Sequence, residues 1–319
     1  MNEFVSPETV KVAKRVNTTL FPLERAKTLQ ADLTSVFSRY LGATQSGRRF
    51  EAEAMVVTGQ SGSGKTKEIA DLVHRFNSSE PELPNGLPAR FVEVLLDKKG
   101  GWKDLGKVTL HAMGYPISDR SKLTQPEIWR MVGFQAKHQG IVGIHYDEAQ
   151  HIFAGKSDTE QEAILDSFKT LLKSHECPLI LLLSGVPELS GYVRQMGQLM
   201  RKTTFCHLHD IDFTQDAEII HDIVYSYASK FGLDLSETLN DGAFLHRLAT
   251  ASAFRWGVLI DLTTTAIMHA KTVQGRALTA DHFNEIWVAK TKMNAIATPF
   301  THPAYETMFR REKLFWVSK

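Results

Sequence analysis

The sequence is poor in cysteine and lacks long apolar runs. Its 319 residues include only Cys177 and Cys206, too few for a disulfide framework and without the Cys/His spacing of a structural zinc site. The longest purely apolar run is Leu179–Leu183, far short of the roughly 20 residues that span a membrane. The first residues also lack the basic and apolar segments of a signal peptide. We therefore expect a cytoplasmic protein without a membrane partner.

Neither sign of charge is in excess. The chain has 37 Lys and Arg against 36 Asp and Glu, for a formal net charge of +1. Any binding of nucleic acid must therefore come from a local basic patch or from many stacked subunits. The hydrophobic fraction of 43% excludes a disordered chain and is enough for one large or two modest cores.

Short apolar runs alternate with helical stretches over most of the chain, which is typical of an α/β fold with a parallel sheet. Five runs predict strands, at 54–58, 91–96, 141–146, 178–183 and 203–209. After residue 214 the strand signals vanish, and helical stretches follow near 214–230, 239–251, 254–272 and 279–292.

These patterns predict four parts. A helical lead-in is expected over 1–50, with a helix at Leu23–Leu41 closed by Gly42. A P-loop α/β domain follows, its five-stranded parallel sheet flanked by helices, and then a small all-α lid and a basic, aromatic tail. The tail suits a partner protein or a neighbouring subunit. The expected bounds of the last three parts are 51–212, 213–292 and 293–319.

Residues 59–66, GQSGSGKT, match the phosphate-binding pattern G-x-x-x-x-G-K-[ST] between a predicted strand and a predicted helix. Glycines let backbone N–H groups turn toward a phosphate, and the helix N-terminus adds partial positive charge. We expect Lys65 to reach the β- and γ-phosphates of ATP and the Thr66 hydroxyl to ligate Mg²⁺. The predicted nucleotide contacts are Gly59, Gln60, Ser61, Gly62, Ser63, Gly64, Lys65, Thr66 and Lys67.

A second motif closes the third predicted strand, where the apolar run that begins at Ile141 ends in Asp147 and Glu148. Ligands of open α/β sheets bind at the carboxyl ends of the strands. Asp147 is therefore expected to contact the nucleotide and its Mg²⁺. Glu148 is expected to orient the attacking water and remove its proton.

Several polar residues lie around these motifs, and three of them allow two interpretations. His145 and Tyr146 interrupt an otherwise apolar strand. Gln150 and His151 either sense the γ-phosphate or cap the next helix. Ser184 closes the fourth predicted strand, where it either steadies the attacking water as a catalytic residue or simply ends the strand.

Two arginines are candidates for further phosphate contacts. Arg201 precedes the fifth predicted strand, where it either reaches the γ-phosphate of a neighbouring subunit, as a catalytic residue, or is a solvated charge. Arg255 opens a strongly apolar helix. A cation is unfavourable at a helix N-terminus without an anionic partner, so Arg255 is expected to contact the bound nucleotide.

Together these features resemble an AAA+ ATPase, with Arg255 at the sensor-2 position of a lid. A narrower resemblance, to the TniB/TnsC family of transposition ATPases, rests on LLDKKGGWKDLGKVTLHAMGYP, DEAQHIFAG, PLILLLSGVPEL and QLMRKTTF. Such proteins bind ATP, form rings or filaments on duplex DNA and recruit a transposase, and hydrolysis disassembles the polymer. The resemblance implies ATP and Mg²⁺ as cofactors. The implied partners are double-stranded DNA, further copies of the chain, a transposase and a target-selector protein. Ser184 departs from the Asn that many AAA+ proteins have there.

The resemblance also implies where DNA binds. Family members line the filament interior with residues just after the second strand, which here are Lys98, Lys99 and Lys103, with Lys107 one turn further on. Lysines beside glycines suit phosphate contacts that position a duplex without reading its bases. A solvated turn explains the same residues on a single monomer.

Other functions share these motifs. An Orc/Cdc6- or ExeA-like nucleotide-gated ATPase, not connected with transposition, has them in part. An Orc/Cdc6-like initiator is expected to carry a winged-helix module, for which too few residues follow Lys290. A binding module that does not hydrolyse ATP would leave Glu148 idle, and a helicase would unwind duplex DNA.

Overall fold

The structure is a computed structural model. It describes residues 10–11, 14–15, 20–96, 100–118, 121–174, 177–195 and 197–309, without the side chain of Gln198. Lys98, Lys99 and the tail after residue 309 lie outside the described residues. The chain divides into two compact units. The first contains residues 22–61 and 65–208, and the second contains residues 62–64 and those from 209 onward, together with the described residues before Pro22.

The first unit is built around a five-stranded sheet. Its strands are β1 (Ala54–Thr58), β2 (Arg90–Leu95), β3 (Ile141–Asp147), β4 (Ile180–Gly185) and β5 (Thr203–His207). All pairs are parallel, and the order is β2-β3-β4-β1-β5. The three central strands are buried along their whole length, which is why they read as continuous apolar runs. The predicted α/β fold with a five-stranded parallel sheet is confirmed.

Helices flank this sheet. They are α1 (Glu24–Gln45), α2 (Lys65–Ser78), α3 (Trp102–Ala112), α4 (Gln125–Gln139), α5 (Gln150–Phe153), α6 (Asp158–Leu172), α7 (Glu188–Arg194) and α8 (Gly197–Met200). The segment between β4 and β5 contains two short helices, α7 and α8.

Helix α1 continues past Gly42, where the sequence predicted its end, to Gln45. A glycine inside a helix costs only about 0.5–1 kcal/mol, and packing outweighs it. Phe37 lies edge-on against Phe76 of α2 at 4.9 Å between ring centroids, and Arg25 forms an ion pair with Glu68 of the same helix. These contacts hold α1 in the first unit.

The second unit is mainly helical, as the sequence predicts. Its helices are α9 (Phe213–Lys230), α10 (Gly242–Ala251), α11 (Trp256–Thr272), α12 (Ala280–Thr291) and α13 (Tyr305–Met308), with a 3₁₀ turn at Glu237–Asn240. Two short parallel strands, β6 (Asp234–Leu235) and β7 (Ala277–Leu278), also pair there. Strands of two residues are too short to show an alternating pattern, so the sequence gives no sign of them.

Helix α11 is the most apolar segment of the second unit. It buries residues on several sides, among them Leu259, Leu262 and Ile267, as expected of a helix surrounded by others. Its length and composition still fall short of a membrane span, and the same holds for every helix in the described ranges.

Candidate nucleotide-binding site

The loop between β1 and α2 has the backbone of a phosphate cradle. Gly62 and Gly64 adopt φ values of +81° and +95°, which side chains other than hydrogen rarely allow. Lys65 is only 5% exposed, and its Nζ donates to the carbonyl oxygens of Gly59 at 2.7 Å and Gln60 at 3.1 Å. The lysine ammonium is therefore held inside the loop by its own backbone.

The other loop residues differ in exposure. Gly59 and Ser63 are buried, and Gly64 is half-buried. The remaining predicted contacts, Gln60, Ser61, Gly62, Thr66 and Lys67, are exposed.

Gly257 was missed by the sequence reasoning, although it follows the candidate Arg255 by two residues. In the second unit, the backbone N–H of Val258 donates to the Gly62 carbonyl at 3.2 Å. A Cβ at Gly257 would lie 2.6 Å from that oxygen and 2.7 Å from the Gly64 nitrogen. Real Cβ atoms do not approach backbone atoms so closely, so only glycine fits here. A glycine in the first turn of an otherwise apolar helix was the available signal.

Asp147 joins the loop to the sheet. Its Oδ2 accepts a hydrogen bond from the Thr66 hydroxyl at 2.8 Å, and its Oδ1 accepts one from the Ser184 hydroxyl at 2.6 Å. The carboxylate is 4% exposed. The Thr66 hydroxyl and the Asp147 carboxylate supply hard oxygen ligands of the kind that Mg²⁺ prefers. Thr66 and Asp147 therefore fit the magnesium ion of a nucleotide complex.

Glu148 has a strained backbone and a restrained side chain. Its φ of +56° is rare for a residue with a side chain and costs about 1–3 kcal/mol, a form of strain that clusters at functional sites. Its Oε2 accepts a hydrogen bond from Gln150 Nε2 at 2.5 Å. The other end of the same amide, Gln150 Oε1, accepts from the Val186 N–H at 3.4 Å. Gln150 thus links Glu148 to the segment that follows β4.

His145 is 1% exposed and Ser184 is 0% exposed, and the two are joined. His145 Nε2 lies 2.9 Å from Ser184 Oγ, and Nδ1 lies 3.3 Å from Glu93 Oε2 on the edge strand β2. His145 is therefore the buried centre of a chain of polar contacts, which explains how the β3 strand accommodates it.

The two candidate arginines differ in their surroundings. Arg201 is exposed in the turn before β5. Arg255 is the N-cap of α11 rather than a residue of its first turn, and it forms an ion pair with Asp210. The sequence analysis expected the anionic partner of Arg255 to be a bound nucleotide, and in the structure this partner is Asp210. A contact of Arg255 with nucleotide stays a prediction.

The lysines predicted to bind DNA are described only in part. Lys103 and Lys107 are half-buried and lie one turn apart on α3. The start of this helix is fixed by Trp102, which stacks on Trp129 with centroids 4.3 Å apart and accepts the indole N–H of Trp129 at its carbonyl, at 3.1 Å. The aromatic pair thus holds the helix that carries both lysines.

Residues 48–193 match the family model described as an AAA domain. This range contains the phosphate loop, β3 with Asp147, the following Glu148, and Ser184. No curated protein matches the sequence.

Solved structures share the fold over most of the chain. Cdc6p from Pyrobaculum aerophilum has a TM-score of 0.60 at 11% identity, over 86% of this chain and 70% of that protein. ORC2 from Aeropyrum pernix, solved as ADPNP-ADP complexes, has a TM-score of 0.60 at 16% identity, over 87% and 71%. ORC1 from the same organism, solved in complex with DNA, has a TM-score of 0.60 at 14% identity, over 90% and 72%. At such identities the likeness shows the fold, which is that of AAA+ ATPases.

Proposed function

We propose that this protein is an ATP-dependent regulator of DNA transposition, which assembles on double-stranded DNA, marks a target site and recruits a transposase. The AAA+ fold supports the ATP-dependent part of the proposal. The resemblance of the segments around α3, α5 and β4 to the TniB/TnsC family supports the transposition part. One observation carries the proposal: Lys65 is buried in a phosphate loop next to the bonded pair Thr66 and Asp147, a donor set that suits a magnesium triphosphate.

In this proposal the chain hydrolyses ATP to ADP and phosphate. Lys65 exchanges its carbonyl contacts for β- and γ-phosphate oxygens, and Thr66 and Asp147 hold the metal. When bound, Mg²⁺ neutralises charge on the phosphate oxygens. Glu148 accepts the proton of the attacking water once its carboxylate has exchanged the bond from Gln150 for one from that water.

Three more residues complete the proposed site. Arg201, exposed before β5, stabilises the γ-phosphate charge of a neighbouring subunit. Arg255 contacts nucleotide after exchanging its partner Asp210. Ser184 donates its only proton to Asp147, so it acts on the attacking water through that carboxylate.

The proposed DNA contacts are Lys98, Lys99, Lys103 and Lys107. AAA+ proteins of similar fold have been solved with DNA, namely ORC1 from Aeropyrum pernix and the Drosophila ORC, which has a TM-score of 0.54 at 13% identity, over 93% of this chain and 69% of that one. These examples support DNA binding by the fold. A basic patch repeated in every subunit reconciles tight, salt-sensitive binding with a net charge of +1 per chain.

The second candidate is an Orc/Cdc6- or ExeA-like nucleotide-gated ATPase that binds DNA or protein and has no connection with transposition. The likeness of the fold to Cdc6p and the ORC proteins favours it. Both candidates require nucleotide binding, and they differ in the partner that the assembled protein recruits.

Negative-stain microscopy separates the candidates when followed by a recruitment assay. The protein is imaged with a non-hydrolysable ATP analogue, with and without duplex DNA, and Lys65→Ala serves as the control that cannot cradle phosphate. We expect rings or filaments on DNA with the analogue only. A purified transposase is then added, and its co-sedimentation with the assemblies is measured. Assemblies that leave this transposase in the supernatant would favour the second candidate.

A further inference from the structure

Four polar residues lie on one face of the sheet near its carboxyl edge. Glu93 pairs with His145 across β2 and β3, and His145 pairs with Leu182 across β3 and β4. Asp147 and Ser184 lie two residues further along their own strands. Because side chains alternate between the two faces of a sheet, Glu93, His145, Asp147 and Ser184 share one face. Their contacts therefore form a continuous path from an exposed edge strand to Thr66.

The directions of the two hydrogen bonds made by Ser184 follow from proton counting. The Ser184 hydroxyl donates to Asp147 Oδ1 at 2.6 Å, so its single proton lies on that bond. Ser184 Oγ must then accept from His145 Nε2 at 2.9 Å, which assigns a proton to Nε2. Nδ1, the other ring nitrogen, faces Glu93 Oε2. The histidine thus fixes the rotation of the serine hydroxyl.

A histidine at this position is not required to fill the core. Burial of a polar side chain costs free energy unless hydrogen bonds compensate it, and the adjacent residues of β3 include the apolar Ile144. Tyr146, on the opposite face, also satisfies its buried hydroxyl, with Thr109 at 2.8 Å. The two buried polar side chains differ in their contacts. The hydrogen bonds of His145 continue through Ser184 to Asp147, the predicted magnesium ligand, whereas the hydroxyl of Tyr146 contacts Thr109.

We propose that His145 is a positioning residue for the magnesium site. By donating to Ser184 it holds the serine proton on Asp147 Oδ1, and this leaves Oδ2 oriented toward Thr66 and the metal. Without the donor, the Ser184 hydroxyl keeps only Asp147 as a partner, and the carboxylate is positioned less firmly, by the Glu148 N–H at 3.0 Å from Oδ1 and by Thr66. The inference rests on the proposed nucleotide-binding function and adds a residue that acts through two others.

Two substitutions of His145 by amide side chains of different length test whether it positions the magnesium site through Ser184. In His145→Gln the amide nitrogen reaches the position of Nε2 and can donate to Ser184. In His145→Asn the amide ends near the position of Nδ1 and cannot. Tyr146→Phe is the matched control, because it removes a buried hydrogen bond from the same strand on the opposite face. A fluorescent ATP analogue is titrated into each full-length variant with Mg²⁺ and with EDTA.

The measured quantity is the ratio of the two dissociation constants, which reports the metal and cancels general damage to the fold. Loss of partners around metal ligands costs about 10–100-fold in metal affinity. We expect His145→Asn to reduce the enhancement by Mg²⁺ about tenfold or more, His145→Gln to retain it within about threefold, and Tyr146→Phe to leave it unchanged despite a lower melting temperature. A ratio for His145→Asn equal to that of the wild type would overturn the inference.

A double substitution gives a second test. If His145 acts through Ser184, then His145→Asn in a Ser184→Ala background adds nothing to the loss caused by Ser184→Ala alone. Additive losses would contradict the proposed path. If the wild-type protein binds the analogue with Mg²⁺ and the substitutions change nothing, only the inference fails. If the wild-type protein binds no nucleotide, the proposed function fails with it.

Discussion

Substitution of Lys65 by alanine tests the phosphate cradle. The ammonium makes two charge-assisted hydrogen bonds within the loop, to Gly59 and Gln60, and in the bound state it exchanges them for phosphate oxygens. Such bonds contribute about 1.5–3 kcal/mol each. Their loss from the complex therefore costs about 3 kcal/mol or more, which corresponds to at least about a hundredfold in affinity.

Stability should change far less than affinity. Water replaces the ammonium at the carbonyl of the exposed Gln60. The buried Gly59 carbonyl loses its donor, and this cost is offset by the removal of a buried charge. We expect the free energy of unfolding to change by no more than about 1 kcal/mol, or a few degrees in melting temperature. Loss of binding without loss of stability separates a missing phosphate contact from a misfolded loop.

The assay is isothermal titration of ATP with Mg²⁺, followed by sedimentation with duplex DNA. Lys122→Ala, which removes an exposed lysine of the same unit, is the control and should behave like the wild type. Lys65→Ala should lose both nucleotide binding and assembly on DNA. Normal assembly of this variant on DNA would refute the reasoning, because the loop would then not be the nucleotide site.

Three further substitutions have distinct expected outcomes. Glu148→Gln should keep nucleotide binding, lower turnover by about a hundredfold or more and trap stable ATP-bound assemblies on DNA; unchanged turnover, measured by phosphate release, would leave Glu148 without a catalytic role. Lys103→Ala should reduce the salt dependence of DNA binding by about one unit of log–log slope and leave ATP affinity alone; an unchanged slope removes α3 from the DNA contact. Gly257→Ala should displace the loop backbone, because its Cβ would lie 2.6 Å from Gly62 O, and weaken nucleotide binding at a cost of about 1–3 kcal/mol. Gly191→Ala, whose Cβ meets nothing within 4 Å, is the control, and equal affinities for the two variants would contradict the predicted clash.

The sheet was predictable because its central strands are buried on both faces. Ala54–Thr58 is a strand with the bounds expected from the sequence, and the predicted strand at 141–146 extends by one residue to Asp147. The motif spacing likewise places the acidic pair at the carboxyl edge of the sheet. Continuous apolar runs and motif spacing are local signals, and local signals are sufficient for these features.

The connections within the site depend on strand order and register, which no local signal contains. The sequence shows His145 only as an irregularity in an apolar strand, and its link to Ser184 exists because β3 and β4 are neighbours in the sheet. The ion pair of Arg255 with Asp210 joins residues 45 positions apart, and no local pattern favours this aspartate over a nucleotide phosphate as the partner of Arg255.

Sedimentation velocity on duplex DNA tests the central claim most directly. The claim is that bound ATP makes copies of this chain assemble around DNA. Addition of a non-hydrolysable ATP analogue with Mg²⁺ should increase the sedimentation coefficient of the protein–DNA complex several-fold, and addition of excess EDTA should reverse the increase. A sedimentation coefficient that does not change when the analogue is added, with nucleotide binding verified in the same sample, would contradict it.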